Sequence, residues 1–494
     1  MKKTLKKIGA ALLAAAFLAV NLVPAMGAFA ADPSGSIEGS ITVNKTVVGK
    51  EYEIYKIFDL TYQGEDPNKK VSYTIADKWK PFFQTVDGAK YLKDKNNAEN
   101  PLNPILVKEG KDSKIKYIDI TDENIKDFSK DALKFLGKVE AEKTEKATGT
   151  TLEFQNLPFG YYLVYPKGAS TIINPSQDKT ASIVSITSAA PKGEVDVKST
   201  YPTLKKETPT KTADYGEDIT YTITGKVPDT TGYETYIYTI TDTLSDGLTL
   251  NANSVKVTVG TQPLTTGVKK TVEGQKLTLE FTNMKDLQGQ VGQEIKVTYT
   301  AKLNDQAVIG TKGNTNTAQL TYSNDPKDGK LTTQTPEETV SVYTGSITIN
   351  KVDGKDKTPL SGAKFILKNA EGKYYKYDGK AVSWVAEEQK PTVVETDKNG
   401  AAAFKGLKDG TYWLIETEAP KGYNKLTTEV EMTVKGESQA AADSLVADVK
   451  NYTGKKLPGT GGMGAKLFIV IGGGIGLLAA GMYRRSRKMN AGNR

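Results

Sequence analysis

Short runs in which Val, Ile, Thr and Tyr alternate with polar residues recur along most of this chain, and they restrict its fold more than any other feature. Thr220-Tyr221-Thr222-Ile223-Thr224 and Ser346-Ile347-Thr348-Ile349 are examples. A two-residue period sends successive side chains to opposite faces of a strand, and β-branched and aromatic residues suit a half-buried pleated surface. Clusters of Gly, Asp, Asn and Pro separate the runs as turns. The pattern predicts an all-β chain built of sandwiches. One patch differs: Ile125, Phe128, Leu133, Phe135 and Leu136 are roughly helix-spaced, which places a helix near Ile125 to Val139.

Three segments echo one another. Ile41-Thr42-Val43-Asn44-Lys45, Pro202-Thr203-Leu204-Lys205-Lys206 and Ile347-Thr348-Ile349-Asn350-Lys351 each set a Lys in phase with apolar neighbours. The length suits domains of roughly 100–150 residues. The expected organisation is a leader at 1–30, sandwiches at 31–199, 200–343 and 344–453, and a tail at 454–494.

The two ends are of another kind. Lys2, Lys3, Lys6 and Lys7 precede an apolar run from Ile8 to Val23, and Ala28-Phe29-Ala30 follows with small residues where a signal peptidase reads. This is the pattern of a secretory signal cut after Ala30. At the far end stand Leu457-Pro458-Gly459-Thr460-Gly461, an apolar stretch from Leu467 to Tyr483, and Arg484-Arg485-Ser486-Arg487-Lys488. As a helix the apolar stretch would reach about 25 Å, enough for a short transmembrane span. The basic cluster would hold its end in the cytoplasm. The order resembles the LPxTG cell-wall sorting signal of Gram-positive surface proteins. That resemblance implies cleavage between Thr460 and Gly461 by a sortase, attachment of Thr460 to an amine, and a cell-wall-anchored surface location with peptidoglycan as a partner.

Charge is concentrated in the ends. The formal net charge is +8, but the leader holds four Lys without an acid and residues 461–494 hold six basic residues without an acid, so the mature chain carries −2. No argument for nucleic-acid binding survives. The chain has no Cys and no His, which removes disulfides, thiol chemistry, His-based acid–base catalysis and the usual zinc sites. Neither a cofactor nor a metal is expected, nor an enzyme acting on other molecules.

The in-phase lysines carry the chemistry. Ile347, Ile349 and Lys351 share one strand face. Tyr412, Leu414 and Glu416 share another, and so do Leu445, Ala447, Val449 and Asn451. A Lys, a Glu and an Asn are thereby directed into one apolar core, where a lone charge is costly. The run Tyr412-Trp413-Leu414-Ile415-Glu416-Thr417-Glu418-Ala419-Pro420-Lys421-Gly422-Tyr423 matches the pilin E-box. The segment resembles the isopeptide-forming domains of Gram-positive pilins and adhesins, of the Cna B-type immunoglobulin-like fold. The resemblance implies attack of Lys351 on the Asn451 amide with loss of ammonia, Glu416 assisting. Burial favours a neutral amine and a protonated carboxyl, the states this reaction needs.

In the middle segment Leu204 and Lys206 share a face, as do Tyr236, Tyr238, Ile240 and Asp242, and Asn316, Ala318, Leu320 and Tyr322. This resembles the Asp-containing middle domain of backbone pilins and implies a Lys206–Asp242–Asn316 triad. Lys205 or Asn314 remains an alternative partner, and Asp242 an alternative turn former. In the first segment Gly160-Tyr161-Tyr162-Leu163-Val164-Tyr165-Pro166 offers Tyr165 where an acid is needed, and the late strand 181–186 has no Asn. No internal bond is expected there, with Lys45 a rim lysine whose stem packs on the sheet.

The whole chain resembles a sortase-assembled backbone pilin, with an ancillary or monomeric wall-anchored adhesin as the alternative. The resemblance implies identical subunits joined head to tail, with minor pilins and a host surface ligand as further partner classes. Shaft growth needs an acceptor lysine. Lys198, at the end of Val195-Asp196-Val197-Lys198, is the favoured acceptor although the family's Tyr-Pro-Lys is missing there; Lys167, in Val164-Tyr165-Pro166-Lys167, is the alternative.

Overall fold

The structure is a computed structural model. It describes residues 38–454 except 63–70, 95–101, 110–111, 122, 170–182, 198 and 438–444. The leader, Lys198, the Leu457–Gly461 pentapeptide and the 467–483 stretch lie outside the described residues. No helix among the described residues is long and apolar enough to cross a membrane.

The described chain is mostly strand, arranged in facing pairs of sheets. The first and third sandwiches share a plan. In the third, Gly345–Asp353 lies between Ala401–Leu407, antiparallel, and Leu445–Asn451, parallel. The facing sheet is built around Lys364–Asn369 and Gly410–Glu418. In the first, Glu38–Asn44 lies in the same way between Thr151–Pro158 and Lys192–Asp196. The strand closing that sheet is therefore Lys192–Asp196. The late strand read in the sequence, Ile183–Ile186 in the described residues, pairs instead with Gly160–Pro166 in the opposite sheet. Alternate residues of these strands meet in the two cores, Ile41, Val43, Phe154 and Tyr162 in one and Ile347, Ile349, Phe404 and Leu414 in the other.

The first unit is more than a sandwich. Between Val71–Ile75 and Lys143–Lys146 the chain adds a small sheet and a helix, Ile125–Phe135, continued by a 3-10 turn at Leu136–Lys138. The helix forms where the apolar spacing suggested. Its Phe128, Ala132 and Phe135 pack with Trp79, Phe82 and Phe83 into a second, aromatic core.

The middle sandwich follows another scheme. Lys205–Glu207 and Glu294–Leu303 both flank Asp218–Lys226 in one sheet. Tyr238–Leu244 and Asn314–Ser323 are neighbours in the other. Its core contains Tyr221, Ile223, Ile240, Leu279, Val297 and Leu320.

Specific contacts join the units. At the first joint the Lys167 amine lies 3.0 Å from Asp325, and the hydroxyls of Tyr165 and Tyr233 are 3.4 Å apart. At the second, buried Asp214 accepts hydrogen bonds from the Lys408 amide (2.7 Å) and the Trp384 indole (2.8 Å). Tyr215 continues the contact, donating its amide to Gly406 and accepting from Val382.

Candidate functional site

The third sandwich brings Lys351, Glu416 and Asn451 together, each almost fully buried. The lysine and the asparagine come from the first and last strands, which run parallel as neighbours with Asp353 opposite Asn451. Glu416 reaches across from the facing sheet. The Lys351 amine donates to Asn451 Oδ1 and to the Val449 carbonyl at 3.1 Å, and stands 3.6 Å from Glu416 Oε1. The Asn451 amide nitrogen donates to both Glu416 oxygens, at 3.0 and 3.2 Å. Burial pulls the Lys351 amine down to about 8, against the opposing pull of Glu416.

Local sequence explains how the cluster is held. After Glu416 the chain turns at Pro420, where the Tyr423 amide bonds back to the Pro420 carbonyl, and passes through Gly422 at φ +88°. That turn returns Leu426 so that its amide donates to Glu416 Oε2 at 2.6 Å. It also lets Tyr423 donate its hydroxyl to Asp353, two residues beyond the lysine. On the other side Gly400 receives the Lys351 backbone. A Cβ at Gly400 would stand 2.3 Å from the Lys351 carbonyl oxygen, so no larger residue fits without moving the strand that carries the amine.

The middle sandwich assembles Lys206, Asp242 and Asn316 by a different route. Lys206 comes from one sheet, and Asp242 and Asn316 come from the other. The Lys206 amine donates to Asp242 Oδ1 at 2.7 Å. Burial pushes the Lys206 amine down and the Asp242 carboxyl up, so the pair is driven toward its neutral forms. The alternatives read from the sequence have other roles. Lys205 faces solvent and pairs with Glu207, and Asp242 lies inside its strand, not in the turn that follows. Asn314 is buried, but its amide is occupied by the backbone of Val308 and Val342.

Sequence reading missed Tyr299 at the centre of this cluster. Its hydroxyl donates to Asp242 Oδ2 and accepts from the Lys206 amine (2.8 Å) and from the Asn316 amide nitrogen (2.7 Å). Tyr221 stacks on it at 5.5 Å, and the Lys206 amine lies over both rings. Asn316 Oδ1 and the Tyr221 hydroxyl are buried without a hydrogen-bond partner. Such atoms cost about 1–3 kcal/mol each. The alternation Val297, Tyr299, Ala301 shows that Tyr299 faces inward, which was the available signal.

The first sandwich holds no such cluster among its described residues. Lys45 follows the opening strand at φ +61° with most of its side chain in solvent, so it lies further out than a stem packed on the sheet. It pairs with Asp196 at 2.5 Å, at the end of the closing strand. Asp196 stands opposite Asn44 as Asp448 stands opposite Asn350, so the pair does not reproduce the buried lysine and asparagine of the third sandwich, and water keeps both of its charges. Tyr165 is buried and bonds to Tyr233 across the joint. Lys167 is tied to Asp325 and stands 3.6 Å from Glu51. Burial disfavours its charge, but Asp325, Glu53 and Glu51 together outweigh burial and raise its pKa.

Comparisons with known proteins bear on the second and third sandwiches. Residues 215–326 match the Gram-positive pilin backbone subunit 2, Cna-B-like domain, and residues 345–446 match the SpaA prealbumin-like fold domain. The chain is 28% identical over 274 residues to the trypsin-resistant surface T6 protein of Streptococcus pyogenes, covering 50% of this chain and 47% of that one. The chain is a relative of the Gram-positive backbone pilins. It is also 26% identical over 332 residues to the fimbrial subunit type 1 of Actinomyces viscosus, covering 54% and 60% of the two chains. This pilin relative thus spans about half the length of the curated relatives it matches. The three-domain T6 backbone pilin of serotype M6 Streptococcus pyogenes has the same fold, with a TM-score of 0.52, 21% identity and 81% of each chain covered.

Proposed function

We propose that this protein is the shaft subunit of a covalently polymerised pilus on a Gram-positive cell wall. On this reading its second and third sandwiches each close an internal Lys–Asn isopeptide bond, and sortase joins Thr460 of one subunit to a lysine of the next. The observation that carries the reading is the buried Lys351–Glu416–Asn451 cluster between the first and last strands of the third sandwich. A pilus shaft is pulled along its length, and a covalent tie between those strands keeps the sandwich from unzipping. The chemistry is self-contained. The neutral Lys351 amine attacks Asn451 Cγ, the Cγ–Nδ2 bond breaks as Glu416 passes a proton to Nδ2, Glu416 regains a proton from Lys351 Nζ, and ammonia leaves. The protein needs no cofactor and acts only on itself and as a sortase substrate.

Two measurements test the internal bonds. The intact mass of region 31–453 should fall short of the sequence value by two ammonias. A mass equal to the sequence value refutes both bonds, and a deficit of three adds one in the first sandwich. The rate of the C-terminal bond should follow the neutral fraction of an amine with a pKa of about 8. It should climb about tenfold per pH unit below that value and level off above it. Pulse refolding at stepped pH with mass readout checks this, and a flat profile from pH 6 to 8 contradicts it.

The absence of Tyr-Pro before Lys198 favours a second reading, a wall-anchored adhesin that is never polymerised. A ladder of high-mass species released from the wall separates the two.

A further inference from the structure

We propose that Tyr299 is a catalytic residue of the middle sandwich, carrying the proton that the Asp242 carboxyl is placed too far away to carry. The inference rests on the isopeptide reading above and concerns how the second bond forms.

The two clusters differ in reach. In the third sandwich the acid is Glu416, and both its oxygens contact the Asn451 amide nitrogen. In the middle sandwich the acid is Asp242, one methylene shorter, and among the described residues it makes no hydrogen bond to Asn316. The Tyr299 hydroxyl fills the gap. It contacts the nucleophile, the acid and the leaving nitrogen at once. It is supplied by the sheet opposite Asp242 and Asn316, on a strand interior locked by pairing along its length. Its ring is held by the stack on Tyr221.

The proton balance needs such a group. As the Nζ–Cγ bond forms and the Cγ–Nδ2 bond breaks, one proton must leave Lys206 Nζ and one must reach Asn316 Nδ2, so that ammonia departs. Nothing is oxidised or reduced, and no other reactant enters. The Tyr299 oxygen receives the proton from Nζ while its own proton, held on Asp242 Oδ2 in the resting site, turns to Nδ2. Asp242 holds the hydroxyl and stabilises the positive charge that develops on Nζ. Tyr299 and Asp242 both end as they began. Burial holds the phenol far above its ordinary pKa, so the transfer is a relay through a neutral hydroxyl and not through a free tyrosinate.

The test uses the full chain. After a pulse of synthesis, the linked peptide pair carrying Lys206 and Asn316 is quantified by mass spectrometry, with the Lys351–Asn451 pair as an internal control. In Tyr299→Phe the first pair should form at least about 100-fold more slowly, with the control pair unchanged. Adding Asp242→Glu to that variant should restore the link, because the longer acid reaches Asn316 directly, as Glu416 reaches Asn451. Unchanged formation in folded Tyr299→Phe overturns the relay. So does a folded double variant that stays unlinked. If neither variant folds, Tyr299 belongs to the fold and the proposal is likewise overturned. If wild type itself never yields the Lys206–Asn316 pair, the isopeptide reading of this sandwich fails, an outcome distinct from failure of the Tyr299 role alone.

Discussion

Glu416→Ala should leave the C-terminal sandwich folded but without its internal bond, and lower its stability by about 5 kcal/mol. Lys351 and Asn451 are 100 residues apart in sequence, so their bond closes almost the whole domain into one loop. By the chain-entropy argument used for disulfides, a loop of that size is worth about 4.7 kcal/mol. For a domain near 100 residues that corresponds to a fall in melting temperature of about 20–35 °C. The core itself should survive. Ile347, Ile349, Phe404 and Leu414 do not depend on the carboxylate, and the Lys351 amine already tends toward neutrality. The Leu426 amide would lose its acceptor, which loosens the turn after Glu416 and adds a smaller cost. The variant should keep the ammonia that wild type loses at this site, and trypsin should cut within residues 344–453. A variant whose mass differs from wild type only by the substitution refutes the role given to Glu416.

Much of these clusters was legible because strands alternate. A lysine two residues after an isoleucine, as in Ile349 and Lys351, announces that a charge is entering a core. The same phase marked Glu416, Asp242, Asn451 and Asn316 as inward-facing polar groups. Tyr299 was hidden by the same rule, since an inward tyrosine is ordinary core material. Its importance depends on which groups meet its hydroxyl from the opposite sheet, and strand phase carries no information about that. Choosing Lys206 over Lys205 needed only the period. Setting Asn314 aside needed the loop at Val308, which occupies its amide. The aromatic core around Trp79 and Phe128 was visible only through a loosely spaced helix, because its members are scattered over turns and short elements. The clasp of Asp214 on Trp384 and Lys408 joins residues far apart in sequence by single hydrogen bonds, which leave no periodic trace.

Lys198→Ala should abolish the high-mass ladder while leaving folding, secretion and wall anchoring intact; Lys167→Ala should leave the ladder in place. The argument turns on what each amine is doing. Sortase presents a Thr460 acyl group that only a free, neutral amine attacks efficiently. Lys167 is bound to Asp325 at 3.0 Å, and that carboxylate, with Glu53 and Glu51, holds it in the charged form. Its work is at the joint, so Lys167→Ala should loosen the first sandwich from the middle one without stopping growth. Lys198 directly follows the strand Lys192–Asp196 and the buried Val197, at the passage into the middle sandwich. An acceptor at the passage from the first sandwich to the middle one and a Thr460 donor in the C-terminal tail would join unlike parts of two subunits, head to tail. Such a contact between unlike surfaces does not close on itself, and it propagates as a fibre. The same geometry divides the covalent load. Thr460–Lys198 links would carry tension between subunits, and Lys206–Asn316 and Lys351–Asn451 would carry it through the second and third sandwiches. The first sandwich precedes Lys198 and so lies outside this covalent path, which is consistent with its having only the exposed Lys45–Asp196 pair in place of a buried cluster. Loss of the ladder in Lys167→Ala, with its survival in Lys198→Ala, would exchange the two roles. Survival in both would leave the shaft to another lysine or the protein to a monomeric life on the wall.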